Sequence, residues 1–157
     1  MSDRLSYNRA APEGYRAMSA MQAYVNATGL EYALLELVKL RASYLNGCAY
    51  CVDMHTKDAR AAGETEQRLY AVPVWRDTPF FTDRERAALA WTEAVTEIGR
   101  AGVPDALYRE ALQHFDEREL VELTMAVITI NGWNRLAVAF HTPVGSYQPA
   151  ARAAAGT

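Results

Sequence analysis

The chain has 157 residues, half of them apolar and 22% charged, and its formal net charge is −3. This composition is that of an ordinary globular protein with a sizeable core, which argues against disorder of the whole chain. Acidic and basic residues are mixed along the sequence without a Lys/Arg-rich run, and this argues against nucleic acid or acidic membranes as partners.

Helical periodicity dominates the chain, whereas the alternating apolar and polar runs typical of strands are scarce. Six prolines fall between the periodic segments, where they separate helices rather than break them. In chain order, the predicted helices cover approximately 15–26, 31–45, 48–63, 64–71, 82–98, a segment that begins at 104, and 116–140. The predicted fold class is therefore all-α, with six or seven helices in one domain over 1–157 and a core at about 15–142.

Several element ends carry recognisable signals. Thr82 and Glu85 fit a capping box at the start of a helix. The stretch 72–81 before them holds two prolines and is predicted to be a loop. Pro104 suits the first turn of a helix, and the tail after Pro143 is expected to be frayed.

Signals of secretion or membrane insertion are missing from the sequence. The first ten residues have no apolar core like that of a signal peptide, and no segment approaches the roughly 18 uninterrupted apolar residues of a membrane helix. We therefore expect a cytoplasmic protein. Thiols are kept reduced in that compartment, so a close cysteine pair indicates redox chemistry or metal binding before a structural disulfide.

The segment that carries chemistry contains Cys48, Cys51 and His55. At 3.6 residues per turn, these three side chains fall within about 60° of one helix face. Cys51 and His55 are i,i+4 neighbours, so the imidazole can reach that thiol. Gly47 lets the chain turn sharply into the helix, whose first free N–H groups favour a thiolate over a thiol. The thiolate is the nucleophile that a redox cysteine needs.

Glu36 lies twelve residues before Cys48, on the preceding predicted helix. If the two helices fold back on one another at 46–47, its carboxylate reaches His55 and makes the imidazole a stronger base. The side chains of Cys48, Cys51, His55 and Glu36 are also a candidate ligand set for zinc or iron. Against a metal, ligands on one short helical stretch enclose an ion poorly, and the sequence offers no further cysteine.

The spacing Glu-(eleven residues)-Cys-x-x-Cys-(three residues)-His resembles the alkylhydroperoxidase AhpD-like branch of the carboxymuconolactone decarboxylase family. The match covers about 34–69, and the segment Asn-Gly-Trp-Asn-Arg-Leu-Ala-Val at 131–138 is similar to a late segment of that family. The resemblance implies an all-α fold, peroxidase activity through a reversible cysteine disulfide, and obligate oligomers, often trimers or hexamers. No cofactor is expected.

By this resemblance Cys51 is the thiol that attacks the peroxide, Cys48 is the resolving thiol, and His55 with Glu36 is the proton relay. One position departs from the pattern, because the AhpD enzymes carry a histidine between the cysteines where this chain has Tyr50. A phenol with a pKa near 10 is a poor base at neutral pH, so the relay would lose a member. The decarboxylase branch lacks the cysteine pair, which argues against lactone chemistry.

The sequence thus predicts an enzyme that reduces an organic hydroperoxide, or a disulfide, with a cycling Cys48–Cys51 pair and a lipoyl- or thioredoxin-type protein as reductant. Two alternatives stay open: a metal-binding protein that uses the four residues above, and a non-catalytic redox sensor whose disulfide changes the oligomeric state. Aromatic residues are plentiful, and 120–140 is apolar around most of its circumference. Both features favour a homo-oligomer in which neighbouring subunits cover apolar surface.

Overall fold

The computed structural model describes residues 4–150, which form eight α-helices and one 3-10 helix and contain no strand. The α-helices are α1 (Tyr7–Ala10), α2 (Pro12–Asn26), α3 (Tyr32–Leu45), α4 (Ala49–Ala61), α5 (Glu66–Ala71), α6 (Asp83–Thr96), α7 (Asp105–Ala111) and α8 (Glu117–Ala139). The predicted all-α class is confirmed. In this part of the chain, no helix has the length and apolar character needed to cross a membrane.

The predicted helix boundaries are close to those of the structure, with two differences. Helix α1 is additional, because its four residues are too few to show a helical stripe in the sequence. The prediction of a loop over 72–81 is wrong for Val72–Asp77, which form the 3-10 helix. Pro73 stands in the first turn of this helix, where the missing N–H of proline costs no hydrogen bond.

Helix α3 lies at the centre of the fold and packs against α4, α6 and α8. Leu37, Val38 and Leu40 are fully buried, and α3 contributes to both of the larger apolar clusters of the core. A helix that is apolar on most of its surface must be covered on most sides. This central position also carries two charged side chains, Glu36 and Lys39, into the interior.

Capping boxes begin the two longest helices of the second half of the chain. The predicted box at Thr82 and Glu85 is confirmed, since each side chain accepts a hydrogen bond from the backbone N–H of the other. Asp116 and Glu119 form the same arrangement at the start of α8. Replacement of such a cap by alanine typically costs about 0.5–2 kcal/mol, so both boxes help to fix where these helices start.

Helix α8 continues for 23 residues and crosses α2 closely. A Cβ atom at Gly132 would lie 2.6 Å from Cε of Met18, so the flexible end of the Met18 side chain occupies the space that a larger residue here would need. Val121 and Ile128 of α8 remain exposed. One subunit therefore covers only part of the apolar surface that the sequence shows on this helix.

The C-terminal tail, which the sequence predicts to be frayed, forms no helix or strand from Pro143 to residue 150, but side chains of α4 hold part of it. Lys57 Nζ of α4 donates to the carbonyl oxygens of Gly145 and Tyr147 at 3.5 and 3.0 Å. The Tyr147 hydroxyl donates to Asp58 Oδ1 at 2.8 Å. These anchors come from side chains far away in sequence, which no local pattern reveals. Residues 151–157 of the same tail lie outside the described residues.

Candidate active site

The turn between α3 and α4 sets the position of the cysteine pair. Gly47 has a φ of +64°, a left-handed conformation that glycine adopts without steric cost. The N–H of Cys48 then donates to the carbonyl oxygen of Ser43 at 2.9 Å. With this turn, α4 packs back along α3.

Three asparagine side chains join this turn to α8. Asn46 Nδ2 donates to Asn131 Oδ1 at 3.0 Å and to Asn134 Oδ1 at 2.9 Å. Asn134 is fully buried, and its Nδ2 donates to Ser43 Oγ at 3.0 Å. Buried amides that are bonded to partners on another element hold the two elements in one arrangement. The segment 131–138 therefore supports the cysteine turn.

Cys48 and Cys51 form a disulfide, with their Cα atoms 5.4 Å apart. Cys48 is the N-cap residue of α4, and its Sγ accepts the backbone N–H of Cys51 at 3.3 Å. Each cysteine is only 1% exposed. A helix N-terminus stabilises negative charge on sulfur, so the fold supplies a source of thiolate stabilisation for the reduced pair.

Glu36 is hydrogen-bonded through both of its carboxylate oxygens. Oε2 lies 2.8 Å from Nδ1 of His55, and Oε1 accepts from Nζ of Lys39 at 2.8 Å. All three side chains are buried. Burial by itself raises the pKa of a carboxyl group, but the hydrogen bonds and charges of His55 and Lys39 outweigh it and hold the pKa of Glu36 below its ordinary value.

This arrangement determines which nitrogen of His55 can act as a base. An ionised carboxylate only accepts hydrogen bonds, so Nδ1 of His55 is the donor to Glu36. In the neutral ring, Nε2 then carries the free lone pair. Sequence reasoning missed Lys39, although it lies one turn from Glu36 on the same helix. Lys39 offsets the negative charge of the carboxylate that orients the imidazole.

A pocket of about 510 Å³ opens beside these groups. Its wall includes Cys51, His55, Glu36 and Tyr50, whereas Cys48 is not part of it. The structure thus brings the four predicted site residues together and distinguishes the two cysteines, because only Cys51 lines the pocket.

Three aromatic side chains of the pocket wall come from elements that are remote in sequence from α3 and α4. Tyr7 and Tyr15 belong to α1 and α2, and Trp133 belongs to α8. The rings of Tyr15 and Trp133 meet edge to face, with centroids 5.6 Å apart and an interplanar angle of 64°. Sequence reasoning missed this wall, because an aromatic residue on an amphipathic helix looks the same whether it fills the core or lines a site.

Asp58 adds a second carboxylate to the pocket, one turn after His55 on α4. Burial and the hydrogen bond to Asp58 raise the pKa of Tyr147, so this phenol stays protonated and donates. One ligand atom each of Glu36, His55 and Asp58 lies within 4.8 Å of the others, and such a group can hold a metal ion. This group differs from the metal-ligand set predicted from the sequence, because Cys48 and Cys51 are bonded to each other and Asp58 takes their place. The oxygens of Glu36 are already engaged by His55 and Lys39.

The sequence of this chain matches one known protein family. Residues 12–94 match the model of the carboxymuconolactone decarboxylase family. The chain belongs to this family. The uncharacterized protein YdfG of Bacillus subtilis is 44% identical to this chain over 139 residues, which cover 88% of this chain and 95% of YdfG. The uncharacterized protein YnjA of Escherichia coli is 34% identical over 98 residues, or 62% of this chain and 53% of YnjA.

Solved structures place this carboxymuconolactone decarboxylase family member in the AhpD-like branch. A protein of unknown function from Agrobacterium tumefaciens, proposed to be the antioxidant defence protein AhpD, has a TM-score of 0.89 and 43% identity, and the match covers 93% of this chain and 100% of that one. A peroxidase-related protein from Ralstonia eutropha with an alkylhydroperoxidase AhpD core has a TM-score of 0.78, 21% identity, and coverage of 88% and 74%. The second likeness concerns the fold alone. The first likeness relates this chain to a protein with a proposed role in antioxidant defence.

Proposed function

We propose that this protein is a thiol-dependent peroxidase that reduces organic hydroperoxides through a reversible disulfide between Cys48 and Cys51. The observation that carries the proposal is that Cys51 lines the pocket together with His55 and Glu36, whereas Cys48 does not. A peroxide in the pocket therefore meets Cys51 first. Cys48 is bonded to Cys51 in the structure and is close enough to act as the resolving thiol. The AhpD-like neighbour from Agrobacterium tumefaciens supports the same class of activity.

In the first step, Nε2 of His55 takes the proton of the Cys51 thiol, and the thiolate attacks the hydroperoxide. A sulfur–oxygen bond forms while the oxygen–oxygen bond breaks, so Cys51 becomes a sulfenic acid. The departing alkoxide receives the proton from His55 and leaves as an alcohol. Glu36 stabilises the transient imidazolium through Nδ1.

In the second step, the Cys48 thiol attacks the Cys51 sulfenic acid, which forms the disulfide and releases water. A dithiol partner of the lipoyl or thioredoxin type then returns two electrons and two protons to the pair and becomes a disulfide itself. We place this cycle in the cytoplasm, where such dithiols are kept reduced.

Turnover of cumene hydroperoxide with dihydrolipoamide or reduced thioredoxin tests this proposal. We expect steady consumption by the wild type and none by Cys51→Ser. Without the dithiol, reduced Cys48→Ser should consume one equivalent of hydroperoxide and stop, with Cys51 as a sulfenic acid that dimedone traps and mass spectrometry locates. A wild type whose disulfide cycles but which turns over no hydroperoxide would instead be a redox sensor.

Substitution of His55 tests the proton relay separately. His55→Gln should lower turnover by about 10²–10⁴-fold, the usual contribution of a general base. His114→Gln is the matched control, because His114 lies outside the pocket wall and pairs with Glu110 at 3.4 Å. It should retain the wild-type rate. Similar losses in the two variants would remove His55 from the mechanism.

A further inference from the structure

The pocket beside Cys51 is much larger than the reacting group of a hydroperoxide. Its volume of about 510 Å³ falls within the roughly 300–1,000 Å³ of pockets that bind small organic molecules. Hydrogen peroxide, with two heavy atoms, would leave most of this space to water. The size therefore favours a hydroperoxide with a bulky organic group.

Aromatic rings determine the shape of one wall. Tyr15 packs against both Trp133 and Tyr7, with ring centroids 5.6 and 6.3 Å apart. The indole N–H of Trp133 also donates to Gln22 Oε1 at 3.2 Å, which fixes the orientation of this ring. Such rings favour a flat, apolar group that can stack on them or meet their edges.

The charged groups of the pocket wall leave negative charge in excess. Among the described residues that line it, Lys39 is the cation, and its Nζ is held by Glu36 at 2.8 Å. Asp58 is a second carboxylate, and it accepts a hydrogen bond from the phenol of Tyr147, which supplies no positive charge. Two carboxylates against one ammonium leave one negative charge in excess while His55 is neutral.

We propose that the pocket selects uncharged, ring-bearing organic hydroperoxides and that Asp58 is the residue that excludes anionic ones. This inference rests on the proposed peroxidase function and names its substrate class. A carboxylate on the substrate would face Asp58 in a partly buried site, where charges are screened less than in water. The ammonium of Lys39 is already neutralised by Glu36.

Matched hydroperoxides test the selection by charge. We expect kcat/KM to be about tenfold or more higher for cumene hydroperoxide than for its derivative with a para-carboxylate, and added salt should narrow the difference. Hydrogen peroxide and tert-butyl hydroperoxide, which lack the ring, should also have lower kcat/KM values. A carboxylate derivative or a hydrogen peroxide that reacts as efficiently as cumene hydroperoxide would overturn the inference.

Substitution of Asp58 tests its part in the selection. Asp58→Asn keeps an oxygen that can accept from Tyr147, so the tail keeps its anchor, and we expect the preference for the neutral substrate to fall by about threefold or more. Asp53→Asn is the matched control. Asp53 is on the same helix but outside the pocket wall, and it pairs with Lys57 at 2.9 Å. An equal change in both variants would remove Asp58 as the determinant.

Binding of the two alcohol products, from cumene hydroperoxide and from its para-carboxylate derivative, tests this inference separately from the proposed function, because binding needs no turnover. Calorimetry on the oxidised wild type should give tighter binding for the neutral alcohol than for its para-carboxylate. That result in a protein without peroxidase activity would refute the peroxidase proposal alone. Tighter or equal binding of the anion, or no binding of either alcohol, would refute the selection alone.

Discussion

Glu36 and His55 lie on different helices, nineteen positions apart in sequence, and share a hydrogen bond of 2.8 Å between Oε2 and Nδ1. The bond forms because the left-handed Gly47 turns the chain so that α4 packs along α3. Both side chains are buried, so water competes little for this hydrogen bond. The ring is thereby oriented with Nε2 as the nitrogen that can exchange a proton with a thiol.

The pKa of Glu36 predicts how this residue's contribution to stability depends on pH. Burial raises the pKa, but His55 and Lys39 lower it further, so the folded-state value lies below the ordinary 4.5. A carboxyl group whose pKa is lowered by folding stabilises the folded state at any pH above its pKa in the unfolded chain. This contribution is lost as the pH falls through the pKa of the folded state. The difference in unfolding free energy between wild type and Glu36→Gln should therefore be largest at neutral pH. It should shrink once the pH falls below the ordinary glutamate pKa of 4.5.

Urea denaturation of both proteins from neutral to strongly acidic pH measures this dependence. Glu97→Gln serves as the control for the exchange of a carboxylate for an amide, because Glu97 is exposed at the end of α6. A stability difference for Glu36→Gln that stays constant over the whole range would show that the carboxylate charge is not what His55 and Lys39 stabilise.

Cys51 is predicted to be the more reactive thiol of the reduced protein. It lines the pocket and has the i+4 imidazole, whereas Cys48 does not line the pocket. The opposing effect is the helix N-terminus, since the Cys51 N–H donates to Cys48 Sγ and favours a Cys48 thiolate. Alkylation with limiting iodoacetamide, followed by peptide mass spectrometry, should label Cys51 first. Preferential labelling of Cys48 would reverse the two roles.

Tyr50 stands between the cysteines and lines the pocket. A histidine at this position, as in the AhpD enzymes that the sequence resembles, has an ordinary pKa near 6.5 and can both accept and release a proton at neutral pH, whereas a phenol is a poor base there. We expect Tyr50→His to raise the rate of hydroperoxide reduction by about tenfold. Tyr50→Phe is the control for the ring without its hydroxyl. If the His and Phe variants react at the same rate, this position takes no part in proton transfer.

The fold and the four candidate site residues could be predicted from the sequence, because their signals are local. Helical periodicity and the Thr82 capping box gave the helices, and the spacing of Cys48, Cys51 and His55 placed them on one face of a helix. Glu36 needed one long-range assumption, that the chain folds back at 46–47. The structure has this fold-back, and Glu36 contacts His55.

The remaining parts of the site depend on contacts that no local pattern encodes. Tyr147 reaches Asp58 across 89 positions of sequence, and the Asn46 side chain reaches α8 across 85 and 88 positions. Such pairs are set by how the helices pack, and periodicity gives only which face of a helix is apolar. Lys39 is different: sequence reasoning missed it, although its i+3 spacing from Glu36 is a local signal of an ion pair.

The exposed face of α8 predicts that this protein is a homo-oligomer. Val121 and Ile128 are 61% and 45% exposed and lie seven residues apart, so they share one face of the helix. Burial of this face against a second copy would remove apolar surface from water. Sedimentation at micromolar concentration should give a species larger than 17.4 kDa, and Ile128→Glu should shift it toward the monomer. Val138→Glu is the matched control, because Val138 is 44% exposed on a different face of α8. A wild type of 17.4 kDa with full activity would rule out the oligomer.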